Sequence, residues 1–85
     1  MAVKVKVTPR ERVVCTIRPA LYISDRRHCA YTLYEMLAER NPEKASEVWK
    51  ELRECDKSYS ADCYDALILK LEKLLNVRVA YKYKP

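Results

Sequence analysis

The sequence predicts a two-layer α+β domain, three helices on one face of a small, mostly antiparallel three-stranded sheet, with elements in the order β-β-α-α-α-β. Three observations carry this. Both ends of the chain alternate apolar and cationic residues with a period of two, and the middle carries three apolar stripes at helical spacing. Proline, serine and asparagine stand where those patterns change. The chain has 85 residues and so is read as one domain, 1–85.

Val3, Val5 and Val7 alternate with Lys4 and Lys6, which predicts a half-buried first strand. Thr8-Pro9-Arg10-Glu11 breaks the alternation, and Arg12 to Arg18, rich in β-branched residues, reads as a second strand. The short connection predicts an antiparallel hairpin, ended by Pro19. Ser24 is the expected cap of a first helix reaching Arg40, with Asp25 in its first turn. Its stripe is Cys29, Ala30, Leu33, Met36 and Leu37. Asn41-Pro42-Glu43 restarts a helix with a cap, a proline at the first position and an acid at the positive dipole end. Ala45, Val48, Trp49, Leu52 and Cys55 form its apolar stripe.

Asp56 to Tyr59 reads as a turn, and Ser60 as the cap of a third helix. That helix carries the broadest stripe: Cys63, Ala66, Leu67, Ile68, Leu71, Leu74 and Leu75. Asn76 fits the left-handed position that ends a helix, and Val77, Val79, Tyr81 and Tyr83 then alternate into a last strand.

The net charge of +5 is unevenly placed. Residues 1–18 hold five cations and one acid, residues 76–85 three cations and no acid, and residues 19–75 nine cations against eleven acids. If the odd-numbered strand residues face the helices, the other face of the sheet presents Lys4, Lys6, Arg12, Arg18, Arg78, Lys82 and Lys84 without an acid. A one-sign surface attracts polyanions, so the expected partner is nucleic acid, contacted through its phosphates. Solvated lysines that discourage edge-to-edge aggregation are the plainer explanation. Tyr81 and Tyr83 share the inward parity, so no aromatic platform faces out, and duplex DNA is favoured over single strands. Arg26 and Arg27 oppose the dipole at the start of the first helix, which points either to a bound phosphate or to ion pairs with Asp25 and helix-two acids. A helix-turn-helix is rejected, because the third helix opens on Asp62 and Asp65.

Cys55 and Cys63 lie at facing helix ends, and Cys15 and Cys29 both point inward, so two disulfides are candidates beside a reduced core. Four cysteines allow three connectivities. No C-x-x-C supports a metal site, and no metal or cofactor is expected. One histidine, no glycine-rich loop and acids on solvated helix faces leave no catalytic residues to name, and no enzymatic activity is expected. No apolar run is long enough for a membrane span, and the N-terminus lacks the apolar core of a signal peptide, so a cytoplasmic location is expected, in the host if the protein is viral.

Charged residues are 34% of the chain, and glycine, glutamine and phenylalanine are absent, a heat-adapted pattern. In composition the chain resembles small proteins of hyperthermophilic archaea and their viruses, whose cytoplasm tolerates disulfides. The alternative function is a homo-oligomeric interaction or structural module, a homodimer with Tyr22, Tyr31, Tyr34 or Tyr59 at its interface.

Overall fold

A computed structural model describes residues 11–84. The expected strand at Val3–Val7, with Lys4 and Lys6, lies outside the described residues. The described chain runs strand β1 (Glu11–Ile17), a 3-10 turn (Pro19–Leu21), helices α1 (Tyr22–Arg40), α2 (Pro42–Ser58) and α3 (Ala61–Leu75), then strand β2 (Val77–Tyr83).

The expectation of a three-stranded, mostly antiparallel sheet is corrected. Among the described residues the sheet has two strands, and β1 pairs with β2 in parallel, with Arg12 opposite Arg78, Val14 opposite Ala80 and Thr16 opposite Lys82. Connectivity explains the direction. The turns between helices are one residue (Asn41) and two residues (Tyr59 and Ser60), so the chain reverses at each. Three reversing helices return it to β2 travelling as it did in β1, and a parallel pair requires such a crossover.

Pro19 starts the 3-10 turn, where its missing N–H leaves no bond unmade. The first helix begins at Tyr22, two residues before the expected cap: Ser24 lies inside the helix, and no side chain caps it. Asn41 caps α2 as expected, its Oδ1 accepting from the N–H of Lys44. α2 continues to Ser58, through most of the expected turn. Tyr59 and Asn76, both left-handed, end α2 and α3. Ser60 occupies the N-cap of α3 without a side-chain bond.

The core is one cluster centred on α1, which packs on α2, α3 and β1. Cys29, Ala30, Leu33 and Leu37 meet Ala45, Val48, Leu52 and Cys55 from α2, and Leu67, Ile68, Leu71 and Leu75 from α3. Cys15 and Val77 close it from the strands. Three residues of the expected stripes lie outside this core: Trp49, Ala66 and Leu74 are exposed, at the margins of broad stripes. Tyr64 is wholly buried in their stead. A buried tyrosine needs a hydrogen-bond partner for its hydroxyl. It donates to Asp56 Oδ1.

Candidate nucleic-acid interface

Among the described residues, the helices cover one face of the β1–β2 sheet and leave the other bare. Cys15, Ile17 and Val77 are buried beneath it, while Arg12, Val14, Thr16, Arg78 and Lys82 are exposed above it. The inward parity read from the sequence holds for Cys15, Ile17 and Val77, with Val13, Val79 and Tyr81 partly buried, but not for Tyr83, which is 63% exposed at the end of β2. Parallel sheets are normally covered on both faces, which makes the bare one unusual. Val14 is 55% exposed there beside Ala80.

The register places Arg12 directly beside Arg78. Like charges opposite each other on one sheet face repel. Lys82 continues the row, and the N–H of Lys84 donates to the carbonyl of Ile17, so Lys84 stays in register past the end of β2. Among the described residues, Arg12, Arg78, Lys82 and Lys84 take part in no ion pair. The acids at the margin are engaged elsewhere: Glu11 pairs with Arg40, and Glu72 accepts from the N–H of Val79 at 2.9 Å.

The remaining sequence-predicted cations are used inside the fold. Arg18 sits at the end of the bare face, but its guanidinium and its backbone N–H both donate to Asp25. Those bonds, the side-chain one foremost, hold the Asp25 carboxyl below the usual carboxylate range. Arg26 is only 7% exposed. Its guanidinium lies between the rings of Tyr22 and Tyr81, 4.8 and 4.3 Å from their centroids, and pairs with Asp65. Arg27 bonds Asp56 at 2.9 Å and lies over the Tyr31 ring. Arg26 and Arg27 therefore meet carboxylates of α3 and α2, which compensates for cations at a helix start.

Asp56 is the hub that sequence reading missed. It accepts from Tyr31, Tyr64 and Arg27, and joins all three helices. Burial pushes its carboxyl up, but the three donors outweigh burial and hold it below the ordinary range. Nothing in the local pattern marks it, because its donors stand 25 or more residues away or one helix further on.

Both candidate cysteine pairs are at bonding distance, Cys15–Cys29 at 2.04 Å and Cys55–Cys63 at 2.05 Å between sulfurs. Among the described residues no group of three histidines, cysteines or acids is placed to hold a metal ion, and no helix is long and apolar enough to cross a membrane. Of the tyrosines considered for an interface, Tyr22 and Tyr31 serve Arg26 and Asp56, and Tyr34 stacks on Trp49 at 5.2 Å. Tyr59 is exposed. Comparisons with protein-family models, with curated proteins and with solved structures return no match.

Proposed function

We propose that the chain binds nucleic acid, duplex DNA foremost, by laying the bare face of β1–β2 along the phosphate backbone, and that it acts as a binding protein rather than an enzyme. The observation that carries this is the in-register pair Arg12–Arg78 on an uncovered sheet face, extended by Lys82 and Lys84, with no acid at the outward positions of either strand. A phosphate above two adjacent guanidiniums turns their repulsion into two charge-assisted contacts. Arg18, Arg26 and Arg27 drop out of the interface because carboxylates already hold them. Lys4 and Lys6 have the same outward parity in the sequence pattern and lie outside the described residues. Contacts of this kind position a protein on the duplex and carry little sequence information.

The test is binding of a mixed-sequence duplex at two salt concentrations by the wild type and by Arg12→Ala/Arg78→Ala/Lys82→Ala/Lys84→Ala. Four phosphate contacts give a log–log salt slope of about −4, so binding weakens by about two orders of magnitude between 50 and 200 mM salt. The quadruple variant should lose most of the binding while folding normally, since exposed changes usually cost within about 0.5 kcal/mol. Undiminished binding by that variant would reject the interface. A wild type that binds no duplex at low salt would leave the homo-oligomeric module as the better reading. That second reading rests on the exposed Trp49 and Leu69 of the helical layer, and sedimentation of the free protein tests it.

A further inference from the structure

The two disulfides sit in different surroundings. Cys15–Cys29 forms part of the lining of a cleft of about 430 Å³ between β1 and α1, whose charged groups are Arg18, Asp25 and Lys84, with His28 beside them. Arg18 and Asp25 neutralise one another, so Lys84 leaves the cleft net positive. Cys55–Cys63 lines a second groove, of about 420 Å³, whose charged groups are all paired, Glu51 with Lys70 and Glu54 with Lys57.

Exchange with an outside thiol needs an accessible sulfur to attack and a partner sulfur that leaves easily as a thiolate. At the first bridge both requirements fall the same way. Both cysteines line the cleft, Cys15 is the less buried residue of the two, 7% exposed against 1% for Cys29, and the thiolate expelled at Cys29 forms in a cleft whose one cation without a carboxylate partner among the described residues is Lys84. At the second bridge they fall in opposite directions. Cys63 is half-buried and so the more exposed residue of the pair, but attack there expels Cys55, which is 2% exposed, in the last turn of α2 at the negative end of the helix and next to Asp56. The better leaving sulfur is Cys63, in the first turn of α3, and that route requires attack on the buried Cys55.

We propose that the β1–α1 cleft is a thiol–disulfide exchange site for small anionic thiols, which add to Cys15, while Cys55–Cys63 is a structural bridge. In the exchange a thiolate attacks Sγ of Cys15, the Cys15–Cys29 bond breaks, and its electron pair stays on Sγ of Cys29. The products are a mixed disulfide on Cys15 and a Cys29 thiolate. Return attack by Cys29 on Sγ of Cys15 expels the small thiol and restores the bridge. A second thiolate attacking the outer sulfur of the mixed disulfide leaves both cysteines reduced and the small thiol oxidised. The exchange does not rest on nucleic-acid binding, although Lys84 belongs to both surfaces and Val14 and Thr16 of the exposed sheet face also line the cleft.

The experiment treats the native full-length chain with limiting reduced glutathione, a tripeptide thiol of net negative charge, traps with iodoacetamide and maps the peptides by mass spectrometry. The expected result is glutathione on Cys15, alkyl label on Cys29, and Cys55–Cys63 peptides still cross-linked. Opening of Cys55–Cys63 first or at the same reagent concentration, or glutathione on Cys29, overturns the proposal. Rates with glutathione and with neutral 2-mercaptoethanol test the electrostatic cause. Lys84→Ala should slow both, because each attacks as a thiolate and expels the same Cys29 thiolate, and should slow glutathione by about two- to three-fold more because of its added carboxylate charge, with the difference fading in high salt. Equal slowing of both would reject the cleft's selectivity for anionic thiols.

Discussion

Two arginines of one chain can have opposite uses, and their surroundings decide which. Arg26 is enclosed by Tyr22, Tyr81 and Asp65, while Arg12 stands in solvent beside Arg78. Arg26→Ala should cost about 2–3 kcal/mol, since it strands Asp65 and opens a gap between two rings. Arg12→Ala should cost within about 0.5 kcal/mol. Urea denaturation of both variants checks the contrast. Asp56 offers a second one. Asp56→Ala leaves the buried Tyr64 hydroxyl without its acceptor and should cost about 2–3 kcal/mol, whereas Tyr64→Phe leaves Asp56 two other donors and should cost about 1 kcal/mol. The same groups set the pH dependence. Asp25 and Asp56 have folded pKa values below their unfolded ones, so their contribution is present above about pH 4 and is lost as pH falls through the folded values. Tyr64, buried against Asp56, and Tyr31, bonded to the same carboxylate, have raised values. Their contribution is present below about pH 10 and is lost as pH rises through the folded values. Thermal melts from pH 2 to 12 should show both limbs, and Asp56→Asn should flatten the acid one.

At the scale of elements, stability depends on how each helix ends and what ties it to its neighbour. Asn76 turns α3 into β2 through a left-handed backbone, with φ of 55°. Asn76→Ala should cost about 1 kcal/mol and Asn76→Gly should be near neutral, because a Cβ is disfavoured in that region and glycine has none. The disulfides tie β1 to α1 across a separation of 14 residues and α2 to α3 across 8. Loop-closure entropy assigns about 3 and about 2.5 kcal/mol to them. Complete reduction should therefore lower the melting temperature markedly. Thiol titration of the unfolded, unreduced chain should find no reactive thiol, and four would reject both bridges.

At the scale of the whole molecule, the main consequence of the topology is a sheet that, among the described residues, has one covered and one bare face. Carboxylates also occupy N–H groups at its margins, Asp25 that of Arg18 and Glu72 that of Val79. Removing Glu72 as Glu72→Ala leaves the Val79 N–H unpaired at the outer edge of β2. This variant should self-associate more readily than the wild type, since unpaired edge groups template strand pairing. Analytical ultracentrifugation of the two proteins at matched concentration compares them.

By itself the sequence determined the three helices, the asparagines that cap α2 and end α3, the inward parity of both described strands except at Tyr83, which is exposed, and the clustering of cations on the opposite parity. These follow from period, cap chemistry and charge, which act within a few residues. Its two cysteine pairs were legible as candidates because each spans a single turn or an adjacent strand and helix. Strand direction was not legible, since nothing local to residues 11–17 or 77–83 encodes it. It follows from how many times the intervening helices reverse the chain. Tertiary structure also sorted the cations. Arg18, Arg26, Arg27 and Arg12 are alike in the sequence, and only the folded chain brings Asp25, Asp65 and Asp56 to the first three while leaving Arg12 beside Arg78. Charge pairing acts through space, over separations of 7 to 39 residues here, and it fixed which cations remain for a ligand.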